Sequence, residues 1–222
     1  SKNESLFLEI PTSRPDLILP QDLTEEIGRL YGFGKIPPRI PRVLAVPPKR
    51  NDNVFWKEIS KNALKEFGFS EVYNYSFVSE KLTEILSLNK KKIIELENPI
   101  SSEYKYLRPS LIPNLIKNFK ENLKYFSDIQ IFELGKIYKK EEALEKTALT
   151  GLISVSRKEK EDFYLAKGIV DLLLARLGIS KAWYDEVRAT PEESAIFIWN
   201  SKRGAEIKVW DVEIGFLGEI SS

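Results

Sequence analysis

A proline-rich segment divides the chain into two parts that fold separately. Residues 37–50 hold five prolines and four arginine or lysine residues, and their apolar residues follow no helical or strand period. Proline lacks a backbone N–H and fixes φ, so such a run cannot form a continuous helix or a central strand. The sequence therefore predicts an extended linker over residues 37–51, between a small domain at residues 1–36 and a larger one at residues 52–222.

The residue types that are absent exclude several classes of protein. The 222 residues include no cysteine and no histidine. Disulfides, thiolate or imidazole metal sites, cysteine nucleophiles and Ser-His-Asp triads are therefore excluded. The longest apolar run, residues 195–199, is far shorter than the roughly 20 residues that a membrane helix needs. Since the chain does not begin with Met, we expect it to be part of a longer protein.

The small domain is predicted to contain one strand and one helix. Phe7–Ile10 is the strand candidate. Asp22 and Glu25 have the spacing of a capping box, so the helix is expected to begin there. Gly32 and Gly34 are expected to end it. Three apolar residues share one face of this helix: Leu23, Ile27 and Leu30.

Helical periodicity recurs four times in the larger domain. The first helix is expected to begin near Asp52 and to end at Gly68, and a short second helix is expected to be capped by Ser79. The third is a long helix from Ser110 to about Phe126, with Pro113 in its first turn, where proline is tolerated. The fourth is expected to run from a cap at Asp162 to a stop at Gly178.

Strand patterns alternate with these helices and predict an antiparallel sheet. Two of them, Ile129–Glu133 and Lys136–Lys139, are expected to pair around Gly135, and the loop at residues 200–204 is expected to be a hairpin turn. An antiparallel sheet flanked by helices is an α+β fold. The other predicted strands are Tyr73–Phe77, Ile93–Leu96, Leu149–Val155, Trp183–Val187, Ser194–Trp199, Glu206–Val212 and Ile214–Ile220.

The acidic residues of the small domain are the best candidate for a ligand site. Asp16 precedes the predicted helix, and Asp22, Glu25 and Glu26 lie in its first turn, so the four carboxylates are able to converge. Oxygen ligands suit a hard cation such as Mg²⁺. Helix capping and the helix dipole explain the same residues without a metal. Arg108, just before a helix start, is a weaker candidate for an anion site, and a surface or interface arginine is the preferred interpretation.

At these residues the sequence resembles the bacterial phenylalanyl-tRNA synthetase beta-subunit family. The small domain is similar to the end of the family's B5 domain, and residues 52–222 are similar to its catalytic-like domain. The similarity is colinear over nearly the whole chain. The segments that carry it are residues 13–17, 21–33 and 36–37 in the small domain and residues 67–77, 98–101, 107–113, 132–138, 167–168 and 215–219 in the larger one.

The resemblance implies a structural part of a bacterial cytoplasmic enzyme that uses ATP to attach phenylalanine to tRNA(Phe). In this family two alpha and two beta chains assemble, and the alpha chain catalyses. The catalytic-like beta domain has a degenerate class II synthetase fold. Lys139 and Lys140 lie where a working class II chain has the arginine that clamps the ATP α-phosphate, and no motif 3 is visible. Lysine lacks arginine's bidentate fork, so we expect this chain to be non-catalytic, with no catalytic or nucleotide-binding residues.

The resemblance also implies a cofactor and a partner. Family members bind Mg²⁺ through acids with the spacing of Asp16, Asp22, Glu25 and Glu26, so this set is the predicted metal site. The alpha subunit is the predicted partner, and the helix from Ser110 to about Phe126 is the predicted contact. The competing interpretation is that this helix packs only on its own sheet.

The alternative function is a module that binds tRNA or DNA, since four basic residues lie beside the small domain: Arg39, Arg42, Lys49 and Arg50. The balance of 34 basic and 33 acidic residues argues against it.

Overall fold

The computed structural model describes residues 7–41, 46–86, 88–140, 144–154, 161–187 and 199–220. The chain divides into two compact units, Ser1–Lys49 and Arg50–Ser222. Among the described residues, no helix is both long enough and apolar enough to cross a membrane.

Residues 7–41 of the first unit contain one α-helix, α1 (Pro20–Tyr31), followed by a 3-10 turn at Phe33–Lys35. Gly32 ends α1 with φ of 96°, as predicted. The predicted strand Phe7–Ile10 is wrong, because these residues form no regular structure and are exposed.

The start of α1 also differs from the prediction. Leu19 is the N-cap and Pro20 occupies the first turn, two residues before the predicted start at Asp22. The Asp22 carboxylate instead accepts hydrogen bonds from the backbone N–H groups of Ile18 (2.9 Å) and Leu19 (2.7 Å). Proline has a φ already suited to the first helical turn, which moves the start forward.

The second unit alternates helices with short and long strands. Gly68 and Gly178 follow its first and last helices with φ of 90° and 78°, as predicted. Ser79 caps the short helix by accepting a hydrogen bond from the Leu82 N–H at 3.1 Å. The elements are α2 (Asp52–Glu66), β1 (Ser70–Glu71), β2 (Phe77–Val78), α3 (Glu80–Ile85), β3 (Tyr106–Leu107), α4 (Ile112–Asn122), β4 (Ile129–Lys139), β5 (Leu144–Ser154), α5 (Glu161–Arg176), β6 (Ala182–Glu186), β7 (Trp199–Val209) and β8 (Val212–Ile220).

The strands in the described part of the chain form three sheets where the sequence predicted one. The orders are β1-β4-β5, β2-β3 and β6-β7-β8. All pairs are antiparallel except β1 with β4, a parallel pair of two residues. The second unit therefore combines helices with mainly antiparallel sheets, as expected. Its described strands do not form one continuous layer.

β4 is a single strand, so the predicted turn at Gly135 is wrong. Residues 129–139 pair without interruption with residues 154–144 of β5, and Gly135 lies opposite Ala148. Glycine is needed there for space and not for a turn. A Cβ at Gly135 would overlap the Nη2 atom of Arg108.

The hairpin of the third sheet turns at a different place from the predicted one. Residues 200–204 lie within β7, and β7 connects to β8 through Trp210 and Asp211. Trp210 has φ of 56° there, a conformation that is unusual for a bulky residue. Of the predicted strand Ser194–Trp199, only Trp199 is among the described residues.

Two other predicted strands are largely absent. Of Tyr73–Phe77, only Phe77 is in a strand, and of Ile93–Leu96 only Glu95 makes a bridge, to Tyr106. Tyr73 and Tyr75 are 90% and 74% exposed, so their alternation does not mark a buried strand face.

The β1-β4-β5 sheet carries apolar side chains on both faces. On one face Ile129, Ile131 and Ile137 contact Leu111 and Leu115 at the start of α4. On the other face Phe132 contacts Leu64 and Phe69, with residues of α5 packed around them. The core of the second unit is thus a sheet between helices.

α4 is shorter than the predicted helix, and both of its apolar stripes are used within the chain. Phe119 packs beside Leu111 and Leu115, and Ile112 packs against a second cluster that includes Val78 and Leu86. The interpretation that this helix packs on its own sheet therefore accounts for residues 111–119.

We expect Leu115→Ala to lower the free energy of unfolding by about 2–5 kcal/mol, because Leu115 is fully buried and truncation leaves a cavity. The matched control is Leu172→Ala on α5, where the leucine is 57% exposed, with an expected change within about 0.5 kcal/mol. Urea unfolding measures both, and equal effects would contradict the core described above.

Candidate functional site: a buried ion pair and the groove beside it

The sheet edge at β4 is closed by a buried ion pair between Arg108 and Glu133. The Arg108 Nη1 atom lies 2.7 Å from Glu133 Oε1, and the two side chains are 3% and 1% exposed. Two buried charges are tolerated only when they pair and when their other polar atoms are also satisfied. The surface or interface position predicted for Arg108, and the alternative anion site, are both wrong: its charge is buried and neutralised by a carboxylate of the same chain.

Arg108 forms hydrogen bonds with backbone groups of β4 along the part of its edge that β1 does not cover. β1 accompanies β4 only as far as Phe132, and the backbone of Arg108 meets β4 again at Tyr138, whose N–H donates to the Arg108 carbonyl at 3.1 Å. Between these points the Arg108 side chain covers the edge, because its Nε donates to the Lys136 carbonyl at 2.8 Å. Buried backbone groups need such partners.

The same ion pair fixes the segment of residues 73–76. Glu133 accepts hydrogen bonds from the Asn74 N–H at 3.3 Å and from Asn74 Nδ2 at 2.8 Å. Arg108 Nη1 donates to the carbonyls of Asn74 (3.4 Å) and Tyr75 (3.3 Å), and the Arg108 N–H donates to the Ser76 carbonyl at 2.9 Å. The side chains of Asn74, Arg108 and Glu133 and the backbone groups of residues 74–76 thus meet at one site.

Two asparagines of α4 complete this network. Asn114 Nδ2 donates to the Tyr75 carbonyl at 3.1 Å, and Asn118 Nδ2 donates to Asn74 Oδ1 at 3.1 Å. Their positions, four residues apart, place both amides on one face of the helix. α4 therefore supports the segment of residues 73–76 with its polar face while its apolar stripes face the core.

A groove lies between α2 and the sheet, beside this network. It consists of two adjoining cavities of about 450 and 330 Å³, and both are lined by Lys57, Leu134, Lys136 and Thr147. The larger cavity is also lined by Arg108 and residues 73–76. Both cavities are open to solvent.

The predicted metal ligands lie on α1 and on the loop before it, but an arginine already holds two of them. Arg14 Nη2 is 2.7 Å from Asp16 and 2.7 Å from Glu26, and these bonds lower the pKa of both carboxyl groups and raise that of Arg14. The Asp22 carboxylate accepts hydrogen bonds from the backbone N–H groups of Ile18 and Leu19, just before α1. Glu25 is exposed.

As arranged, these four carboxylates do not fit a magnesium ion. Within the described residues, no group of three or more acidic side chains has the geometry of a metal site. Magnesium binding by Asp16, Asp22, Glu25 and Glu26 stays a prediction.

Among the basic residues of the alternative, nucleic-acid function, Arg50 is used within its own unit. Arg50 bonds Asp52 at 2.7 Å and lies over the ring of Phe55, 4.0 Å from its centre, so its charge is used within the second unit. Arg42 lies outside the described residues. Arg39 and Lys49 are exposed.

Comparison with known proteins decides the family. The family model described as the phenylalanyl tRNA synthetase beta chain CLM domain matches residues 36–222. The chain belongs to this family. The predicted family resemblance is therefore confirmed for the linker and the larger domain.

Curated relatives agree with the phenylalanyl-tRNA synthetase beta chain family. The phenylalanine–tRNA ligase beta subunit of Thermotoga maritima is 35% identical over 230 residues, which cover 99% of this chain and 28% of the relative. That of Fusobacterium nucleatum is 34% identical over 234 residues, which cover 98% of this chain and 28% of the relative. The chain therefore spans little more than a quarter of the length of these relatives.

Solved structures show the class II synthetase fold. A pyrrolysyl-tRNA synthetase from Desulfitobacterium hafniense superposes with a TM-score of 0.59 and 19% identity, over 72% of this chain and 56% of that one. A second structure from the same organism has a TM-score of 0.58 and 17% identity, over 88% of this chain and 64% of that one. The predicted class II architecture is confirmed at the level of fold.

Sequence reasoning missed the centre of this site. Glu133, Asn114 and Asn118 were not singled out, since each lies in an otherwise ordinary strand or helix pattern. A carboxylate at position 133 does offer a signal, because residues 129, 131 and 137 on the same strand face are all isoleucine. A charged residue within an apolar stripe predicts a buried partner of opposite charge.

We expect Arg108→Met to lower the free energy of unfolding by about 3–5 kcal/mol, because it leaves the Glu133 charge buried without a partner. The double variant Arg108→Met/Glu133→Leu is expected to recover a substantial part of that loss, since it removes both charges. Urea unfolding of the two single variants and the double variant gives the coupling energy. Additive losses would contradict the pair as a unit.

For the acidic set, we expect Arg14→Gln to strengthen magnesium binding, because it frees the carboxylates of Asp16 and Glu26 from their present cation. Calorimetric titration with MgCl₂ compares the variant with the wild-type chain and with Lys35→Gln, which changes a basic residue outside these ion pairs. If the Arg14→Gln and Lys35→Gln variants bind magnesium with equal affinity, the four acidic residues are not the ligands of the ion.

Proposed function

We propose that this chain is a non-catalytic part of a phenylalanine–tRNA ligase beta subunit. In the complete enzyme it would support assembly with the alpha subunit, which attaches phenylalanine to tRNA(Phe) at the expense of ATP in the cytoplasm. The observation that carries the proposal is the family match over residues 36–222, together with the class II fold. The assembly of two alpha and two beta chains is part of the proposal.

Two lysines support a non-catalytic role, because they lie where working class II synthetases have the arginine that binds the ATP α-phosphate. Lys139 ends β4 and Lys140 follows it, where class II catalysis uses an arginine. A lysine offers a point charge and lacks the planar pair of donors that holds a phosphate in two places. Arg108 cannot take over, because its guanidinium is buried against Glu133. Activation of an amino acid needs positioned positive charge on the transferring phosphates.

The packing of α4 changes where a partner chain would bind. The predicted contact was the helix from Ser110 to about Phe126. Its apolar side chains at residues 111–119 pack in the core of the chain itself. The apolar side chains left exposed follow residue 122: Leu123, Tyr125 and Phe126, which are 48%, 79% and 58% exposed. A contact made by this helix would therefore use its C-terminal end.

The alternative of a nucleic-acid-binding module is not favoured. Its basic residues are partly used within the chain, since Arg50 pairs with Asp52. Specific nucleic-acid binding usually rests on a positive surface, and this chain has a formal net charge of +1.

Two measurements test the proposal. The purified chain is expected to show no phenylalanine-dependent exchange between ATP and pyrophosphate, and to co-elute with a phenylalanine–tRNA ligase alpha subunit in size-exclusion chromatography. The alpha–beta holoenzyme is the positive control for exchange. Exchange by the chain alone would contradict the non-catalytic role, and failure to bind the alpha subunit at micromolar concentrations would contradict the assembly role.

A further inference from the structure

The loop before α1, residues 11–19, is joined to the helix by the side chain of Arg14. Its Nη2 atom lies 2.7 Å from a carboxylate oxygen of Asp16 in the loop and 2.7 Å from one of Glu26 within α1. Its Nε atom donates to both oxygens of Asp16, at 3.0 and 3.2 Å. One guanidinium therefore bridges a carboxylate of the loop and a carboxylate of the helix.

The backbone of the loop sets the position of this side chain. The Arg14 N–H donates to the Pro11 carbonyl at 2.9 Å, and the Leu17 N–H donates to the Arg14 carbonyl at 3.3 Å. Arg14 therefore lies where two successive turns meet. Pro15, the next residue, has a fixed φ, which further limits the conformations of the loop.

Every oxygen of the Asp16 and Glu26 carboxylates accepts a hydrogen bond from an arginine. Arg14 donates to both oxygens of Asp16 and to Glu26 Oε1, and Arg29 donates to Glu26 Oε2. Two carboxylates are thus balanced by two guanidinium groups of the same chain. Single exposed ion pairs contribute little to stability, whereas bidentate arginine pairs joined in a network are the exception.

The other two members of the predicted metal set make different contacts. Asp22 Oδ2 accepts hydrogen bonds from the backbone N–H groups of Ile18 and Leu19, at 2.9 and 2.7 Å. Glu25 is exposed and makes no hydrogen bond or ion pair with a described residue. The four carboxylates therefore share no common centre: two bind arginine, one binds backbone and one faces solvent.

A guanidinium and a magnesium ion cannot both bind the carboxylates of Asp16 and Glu26. Magnesium requires nearly octahedral oxygen ligands at about 2.0–2.1 Å, and it would repel a positive charge in contact with the same oxygens. Arginine keeps its charge throughout the physiological pH range, and its planar donors match carboxylates. A metal ion at these two residues would therefore have to displace Arg14.

We propose that Arg14 is the resident cation of this acidic set. Its guanidinium takes the place that the family resemblance gives to magnesium, and it holds the loop of residues 11–19 on α1 without a metal ion. Because this cation is part of the sequence, the order of the loop does not depend on the concentration of magnesium. The inference concerns the first unit alone and does not depend on the proposed function.

Nuclear magnetic relaxation of the whole chain in EDTA tests the role of Arg14. We expect order parameters of about 0.85 for the backbone amides of Arg14, Asp16 and Leu17, as in a rigid backbone, and values below about 0.6 in Arg14→Gln. Arg14→Lys is expected to give intermediate values, since lysine keeps the charge but lacks the two-pronged donor group. The matched control Lys35→Gln changes a basic residue outside these ion pairs and is expected to match the wild type.

Two adjacent acids of α1 distinguish an arginine bridge from a metal site. Glu26→Gln is expected to lower the order parameters of the loop as Arg14→Gln does, because it removes the charge that Arg14 binds on the helix. Glu25→Gln is expected to leave them unchanged, since Glu25 does not contact Arg14. A metal held by all four acids would make both variants equally harmful. The amides of α1 are the internal reference that shows whether each variant is folded.

The outcomes decide between the two cations. A loop that is ordered in EDTA and loses its order in both Arg14→Gln and Glu26→Gln supports the proposal. A wild-type loop that is disordered in EDTA and becomes ordered when MgCl₂ is added overturns it, and so does a loop that stays ordered in Arg14→Gln. Equal effects of Glu25→Gln and Glu26→Gln also overturn it.

Discussion

The second unit is organised around a buried charge pair beside the β1-β4-β5 sheet. β4 has a full partner in β5 on one side, but on the other side β1 supplies only two residues. Arg108 bonds the rest of that edge through its Nε atom and its carbonyl, and Glu133 neutralises its buried charge, because an unpaired buried charge would cost several kcal/mol. The pair therefore fixes three separate stretches of chain at one point: the end of β3, the middle of β4 and the segment of residues 73–76.

This constraint explains the features around it. Gly135 must lack a side chain because the guanidinium occupies that space. α4 carries asparagines on its polar face because the carbonyl and amide groups of residues 74 and 75 need partners. The tyrosines at positions 73 and 75 are exposed because the backbone between them is turned toward the network. The hydrogen-bond network around Arg108 and Glu133 therefore accounts both for the fixed backbone of residues 73–76 and for the exposure of the two tyrosine rings.

Much of the fold could be predicted from the sequence, because helix periodicity and glycine stops are local signals. α2, α3 and α5 follow their patterns closely, and so does the end of α1 at Gly32. The errors arise where a local signal has a non-local cause. Gly135 resembles a turn residue but makes room for Arg108, and residues 200–204 resemble a turn but lie in a strand whose register is set by its neighbours. The candidate site was the least predictable, since the contact between Arg108 and Glu133 joins residues 25 positions apart.

Hydrogen exchange of the Asn74 backbone amide tests the central claim most directly. This N–H donates to the buried Glu133 carboxylate, although Tyr73 and Tyr75 on either side are exposed. If the ion pair holds the segment as described, the amide exchanges only when the whole unit unfolds, at a rate comparable to amides in the middle of β4. Exchange at the rate of an open loop would show that the segment is not fixed by the pair, and would contradict the account.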